Sequence, residues 1–205
     1  FSKTTENRTQ TIKRILLGGY PEVIGRATLS RRKAGVGSYI TTILQRDVRD
    51  LAHIEGLTVL PRVLSLIAAR AASLLNFSEL SRSIGIHQTT LKRYMSLLET
   101  TFLLQPLPSW SGNFGKRLVK APKVMLNDTG LVSNLIGLYE DGMEAHQGII
   151  GAVLENFVAM ELRKQEAWSQ MQPQVFHFRT QTGQEVDIAL ENTAGKGVGI
   201  ETKAS

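Results

Sequence analysis

Apolar residues recur at helical spacing through roughly the first three quarters of the chain and then alternate, strand-like, towards its end. Residues 1–12 are polar and Thr-rich and predict a frayed or docking arm. Ile12 to Leu17 forms a short helical or extended run. It stops at Gly18-Gly19-Tyr20-Pro21-Glu22, where Gly-Gly followed by Pro turns the chain. A basic cluster follows at Arg31-Arg32-Lys33. Tyr39 to Leu51 then predicts an amphipathic helix. Its stripe is Ile40, Ile43, Leu44, Val48 and Leu51, with Arg46, Asp47, Arg49 and Asp50 on the other side. Pro61 suits the first turn of the next helix, which Val63, Leu64, Ile67, Ala71 and Leu74 carry to Leu75.

Residues 76–127 read as a winged helix-turn-helix. Asn76-Phe77-Ser78 caps a short helix that buries Leu80 and Ile84, and Gly85 permits the tight turn. The second helix, His87 to Glu99, turns Leu91, Tyr94, Leu97 and Leu98 inward. Thr89, Lys92, Arg93 and Ser96 then form an outward face that can reach phosphates and base edges in a major groove. Thr101–Leu104 and Lys123–Leu126 are the expected wing strands. The loop between them carries Lys116, Arg117 and Lys120 as further nucleic-acid contacts. The same pattern also suits a protein-docking or spacer unit.

Asp128 reads as the N-cap of a helix over Leu131 to Leu138. After an acidic loop, Ile149 to Glu166 is a strong helix with Ile150, Val153, Leu154, Phe157, Val158 and Leu162 on its apolar face. Strands follow at Val175–Arg179, Gln184–Leu190 and Val198–Lys203. The expected fold class is α+β. A helical segment (1–75) and a winged helix-turn-helix (76–130) precede an α-β-β-β segment (131–205). Strict alternation puts Val186, Ile188 and Leu190 on one face and Glu185, Asp187 and Ala189 on the other. Glu201 and Lys203 share a face on the next strand, where Gly199 leaves room. Asp187, Glu201 and Lys203 would then converge, with Glu155 of the preceding helix leaning over them. Carboxylates so gathered can hold a hard divalent cation, and a lysine can orient a water or stabilise charge on a phosphate. The bland alternative is a set of solvated charges on a sheet face.

Composition narrows the classes. The chain has 205 residues and no cysteine, which excludes disulfides and thiolate metal sites and fits a reducing, cytoplasmic setting. Arg70 interrupts the best apolar run, Leu64 to Leu75, so no membrane partner is expected. Residues 1–130 carry 19 Lys/Arg against 8 Asp/Glu, whereas residues 131–205 carry 5 against 10. The basic part suits a polyanion such as DNA. His53, His87, His146 and His177 show no zinc-site spacing, and Trp110 and Trp168 read as packing or interface residues. Opening on Phe1 and stopping two residues past Lys203, the chain is expected to be a piece of a longer protein.

Helix-Glu155, then Asp187, then Glu201-x-Lys203 resembles the PD-(D/E)XK nuclease superfamily, which implies that residues 131–205 are a restriction-endonuclease-like segment, truncated at its end. More of the chain resembles the C-terminal region of bacterial and archaeal AAA+-type ATPases known as domain of unknown function family 4143. The matching pieces are Gly18 to Glu22, Tyr39 with Arg46-Asp47, the helix-turn-helix, Asp128-Thr129-Gly130-Leu131, Gly151-x-x-x-Glu155-Asn156, Gly183 to Asp187 and Ile200 to Lys203. The resemblance implies an N-terminal P-loop ATPase domain as an intramolecular partner. ATP would bind there, since no Gly-x-x-x-x-Gly-Lys-Ser/Thr loop occurs in this chain. It further implies Asp187 and Glu201 as ligands of Mg2+ or Mn2+, Lys203 as the residue placing a nucleophilic water, and Glu155 as an auxiliary ligand. Three functions follow as expectations: a nucleic-acid-binding regulatory region of an ATPase, a metal-dependent nuclease, or a protein-interaction or homo-oligomerisation module.

Overall fold

The computed structural model describes residues 7–47, 57–139, 147–180 and 182–204. Helix α1 (Arg8–Leu17) starts four residues before the expected end of the polar arm. Asn7 and Gln10 cap it reciprocally, the side chain of each accepting from the backbone N–H of the other. A short α2 (Pro21–Ile24) and α3 (Leu29–Thr42) follow, and α3 runs on into a π-type turn, Ile43–Asp47. The expected start at Tyr39 is thus ten residues late. Thr28 accepts from Arg31 N–H and opens the helix ahead of the basic cluster. Ile40, Ile43 and Leu44 are buried as expected, whereas Val48, Arg49, Asp50 and Leu51 lie outside the described residues.

Helix α4 (Leu60–Ala68) ends well short of Leu75. The chain beyond it turns out to pair with a strand, because Ala72 N–H donates to Val124 O and Val124 N–H to Ser73 O. Helices α5 (Phe77–Ile84) and α6 (Gln88–Thr100) are joined through Gly85 in the left-handed region, φ +80°. Asn76 caps α5 by accepting from Glu79 N–H. Strands β1 (Leu104–Leu107) and β2 (Lys123–Leu126) pair antiparallel, Leu104 opposite Leu126. The first ladder strand lies three residues later than expected, since α6 runs to Thr100 and a turn at Phe102 precedes it. Between them sits a short helix, α7 (Phe114–Val119), where a loop was expected.

Helix α8 (Thr129–Ile136) leads towards the long α9 (Gln147–Glu166) and an antiparallel sheet β3 (Gln174–Arg179), β4 (Glu185–Glu191), β5 (Gly197–Ile200), in that spatial order. The architecture is mixed α+β, mostly helical first and ending in a three-stranded sheet. Two apolar cores fill it. The larger joins α1, α3–α6 and the β1–β2 ladder; the smaller gathers Met125, Leu107, Ala159, Met160, Val175 and Ile188. Helix α9 lies between them, giving Val153 to the first and Ala159 and Met160 to the second. That is why its apolar residues spread round the helix rather than along one stripe. The two sheets meet at one bridge, with Trp110 N–H donating to His177 O and His177 N–H to Pro108 O. Among the described residues no helix is long and apolar enough to cross a membrane.

Candidate functional site

The densest ionic cluster is buried where β2, α9 and β4 meet. Lys123 opens β2 and is almost wholly buried, although the other three residues of that strand are apolar. Its Nζ lies 2.5 Å from Glu155 Oε1, on α9, and 4.0 Å from Asp187 Oδ1, on β4. Asp187 Oδ2 accepts from Thr202 N–H at 2.8 Å and from Thr202 Oγ1 at 2.9 Å. Burial pushes the Glu155 carboxyl up to about 7, against the pull of the Lys123 ammonium and with a further push from Asp187 and Glu185. His177 is also buried, with Nε2 3.1 Å from Ala121 O and Nδ1 without a partner. Burial brings its pKa down to about 4, with help from Lys123, so the ring is neutral near pH 7.

A β-bulge places Asp187 here. Phe176 pairs with Ala189 and Phe178 with Val186, so His177 faces two residues of β4, Asp187 and Ile188. This corrects the strict alternation expected along β4. Val186 shares the face of Phe176, Phe178 and Ala189, where its Cγ1 lies against Gly199. Asp187 comes to the α9 face together with Ile188. The expected meeting of Asp187 with Glu201 and Lys203 does not occur. Thr202, the residue between them, turns to Asp187, whereas Glu201 and Lys203 are exposed and pair with each other at 3.3 Å.

With the Lys123 ammonium between its acids, the donor set does not fit a divalent metal. Such an ion wants six or more oxygens, mostly from carboxylates, carbonyls and waters. One Asp187 oxygen already accepts two hydrogen bonds, Glu155 is taken by an ammonium, and Glu201 points to solvent. Among the described residues no group of three or more His, Asp or Glu side chains is gathered for an ion.

The expected nucleic-acid residues divide. Thr89, Lys92, Arg93 and Ser96 are exposed along one face of α6, whose other face is buried through Leu91, Tyr94, Met95 and Leu98. Lys92 Nζ lies 5.6 Å from the Phe77 ring. Lys116 is exposed, and Lys120 is half-buried beside Arg179 O. Arg117, expected to reach a phosphate, is instead held inside. Its guanidinium grips Glu191 of β4 with both Nη atoms, at 2.6 and 3.1 Å, and lies over Trp110 and Phe176. The loop after β1 is thereby folded onto the terminal sheet. Trp110 packs on Phe178 there, whereas Trp168 is exposed.

Two positioning residues escaped sequence reasoning, and a third showed only half its role. Lys123 had a legible signal: a lone cation heading an apolar strand must find a carboxylate if that strand is buried. Asn156 had none beyond lying next to Glu155. It is wholly buried, and its amide accepts from Leu126 N–H and donates to Leu126 O. Asp128 caps α8 as expected, with Oδ1 accepting from Gly130 and Leu131 N–H. Its Oδ2 additionally accepts from Gly19 N–H at 2.5 Å. A Cβ on Gly18 (φ +73°) would overlap that carboxylate, which explains the first glycine there. Burial raises the Asp128 pKa, and these three N–H donors hold it back.

Residues 150–205 match the family described as Domain of unknown function (DUF4143). Residues 8–142, expected to belong with it, match a different family, Domain of unknown function (DUF8612). The chain is similar to uncharacterized protein Rv2008c of Mycobacterium tuberculosis and to uncharacterized protein Mb2031c of Mycobacterium bovis. Each is 30% identical over 188 residues, covering 92% of this chain and 42% of the relative. The chain therefore spans under half the length of these curated relatives. No solved structure matches it. With well over half its residues under one family match, the chain belongs to the DUF8612 family and carries a DUF4143 segment at its end.

Proposed function

We propose that this chain is the nucleic-acid-contacting, regulatory region of a larger AAA+-type ATPase, with α6 as the element that enters the groove. The observation that carries the reading is the split of α6 into two faces. One is anchored in the core through Leu91, Tyr94, Met95 and Leu98; the other presents Thr89, Lys92, Arg93 and Ser96 to solvent. With α5 before it and the β1–β2 ladder after it, this order supports a winged helix-turn-helix. The Lys/Arg excess of residues 1–130 adds long-range attraction for a polyanion. The wing contributes little, because Arg117 is committed to Glu191. The terminal sheet is then a restriction-endonuclease-like segment that docks rather than cleaves.

The test is fluorescence anisotropy of a labelled DNA duplex titrated with protein across a salt series. Lys92→Ala with Arg93→Ala should weaken binding by about tenfold or more and lower the salt slope by about one to two counterions. Lys116→Ala should change it little. An unchanged affinity in the double variant, or no binding at low salt by the full-length protein, would refute the assignment.

A further inference from the structure

We propose that the ammonium of Lys123 is the built-in cation of the Glu155–Asp187 acid pair and keeps divalent metal out of it. The lysine comes from the DUF8612 part of the chain and both acids from the DUF4143 part, so the charge set spans the seam between two families. Nζ sits 2.5 Å from one carboxylate and 4.0 Å from the other, which is where a metal bridging them would have to stand. Two positive centres cannot share that space in a buried site.

The lysine cannot simply swing aside. Its residue is held in the β1–β2 ladder opposite Leu107 and bridged to Leu74 on the other edge. Pro122 just before it accepts from Leu75 N–H, and Val124 just after it exchanges hydrogen bonds with Ala72 and Ser73. Solvent reaches its side chain over only 7% of its surface. Freeing the acids therefore requires α9 and β4 to part from β2. Thr202 completes the arrangement by holding the second oxygen of Asp187.

Mn2+ titration followed by the electron paramagnetic resonance signal of the free ion tests this without any activity assay. In the parent chain, Glu155→Gln and Asp187→Asn should each leave the Mn2+ isotherm unchanged. Lys123→Met should create a site binding about tenfold or more tightly than anything in the parent, and adding Glu155→Gln should abolish it. A parent Mn2+ site that Glu155→Gln or Asp187→Asn removes would overturn the proposal, as would a folded Lys123→Met chain with no gain. Should Lys123→Met fail to fold, the two parent substitutions still decide: indifference supports exclusion of the metal by Lys123, and loss of a site refutes it.

Discussion

Replacing Asn156 with alanine should unfold the chain at markedly lower denaturant although no charge is touched. Strand β2 has an outer edge facing away from β1. On that edge Leu75 N–H donates to Pro122 O, Ala72 N–H donates to Val124 O, and Val124 N–H donates to Ser73 O. Leu126, two residues further along the same edge, has no backbone partner there. The Asn156 amide serves it instead, at 2.8 and 2.9 Å. Alanine would strand one N–H and one C=O in a place with no solvent contact. Each buried orphan costs about 1–3 kcal/mol, so the loss is about 2–6 kcal/mol, towards the lower end if a water enters the vacated space. With a urea dependence of roughly 2–3 kcal/mol per molar, the midpoint seen by far-ultraviolet circular dichroism should fall by about 0.7–3 M. Asn156→Leu separates the causes: it restores volume but neither hydrogen bond, and should lose about as much as alanine. A midpoint within about 0.2 M of the parent for either variant would show that the amide does not close this edge.

Arg117→Ala should cost about 1.5–3 kcal/mol, because it leaves the partly exposed Glu191 carboxylate with only the Trp110 indole N–H; Arg117→Lys should recover only part, since one ammonium cannot replace the two-pronged grip. Thermal unfolding of both variants reads this, and a loss under about 1 kcal/mol for alanine would contradict it. Burial also ties stability to pH through two groups. Glu155 rises from 4.5 to about 7, so its contribution is complete below pH 4.5 and is lost as pH climbs to about 7. His177 falls from 6.5 to about 4, so its contribution is present above pH 6.5 and is lost as pH drops to about 4. The slopes oppose each other. Glu155→Gln removes the first, so the variant's urea midpoint should fall more steeply than the parent's between pH 6.5 and pH 4.5. Matching slopes would place the titration elsewhere.

Local chemistry carried much of the architecture. Asn76 as a cap, Gly85 as a turn, Asp128 as a cap and the two faces of α6 follow from residue types and spacing, and all are where that chemistry puts them. So do the long helix and the three strands, because periods of 3.6 and 2 survive in the order of side chains. Contacts across long stretches of chain had no such trace. The run from Ala71 to Leu75 continues a helical pattern, yet β2 offered it backbone partners and took it out of the helix. Arg117 reads as a wing cation for nucleic acid until Glu191, 74 residues away, is folded against it. The candidate acid site shows the limit best. Alternation assigns faces only while a ladder stays in register, and the bulge opposite His177 moves Asp187 from the face of Ala189 to that of Ile188; it still meets Glu155, as expected, but with Lys123 rather than Glu201 and Lys203. A bulge is set by how two strands and a helix pack, a balance of many contacts distant in sequence, so only the folded chain could decide which cation those carboxylates meet.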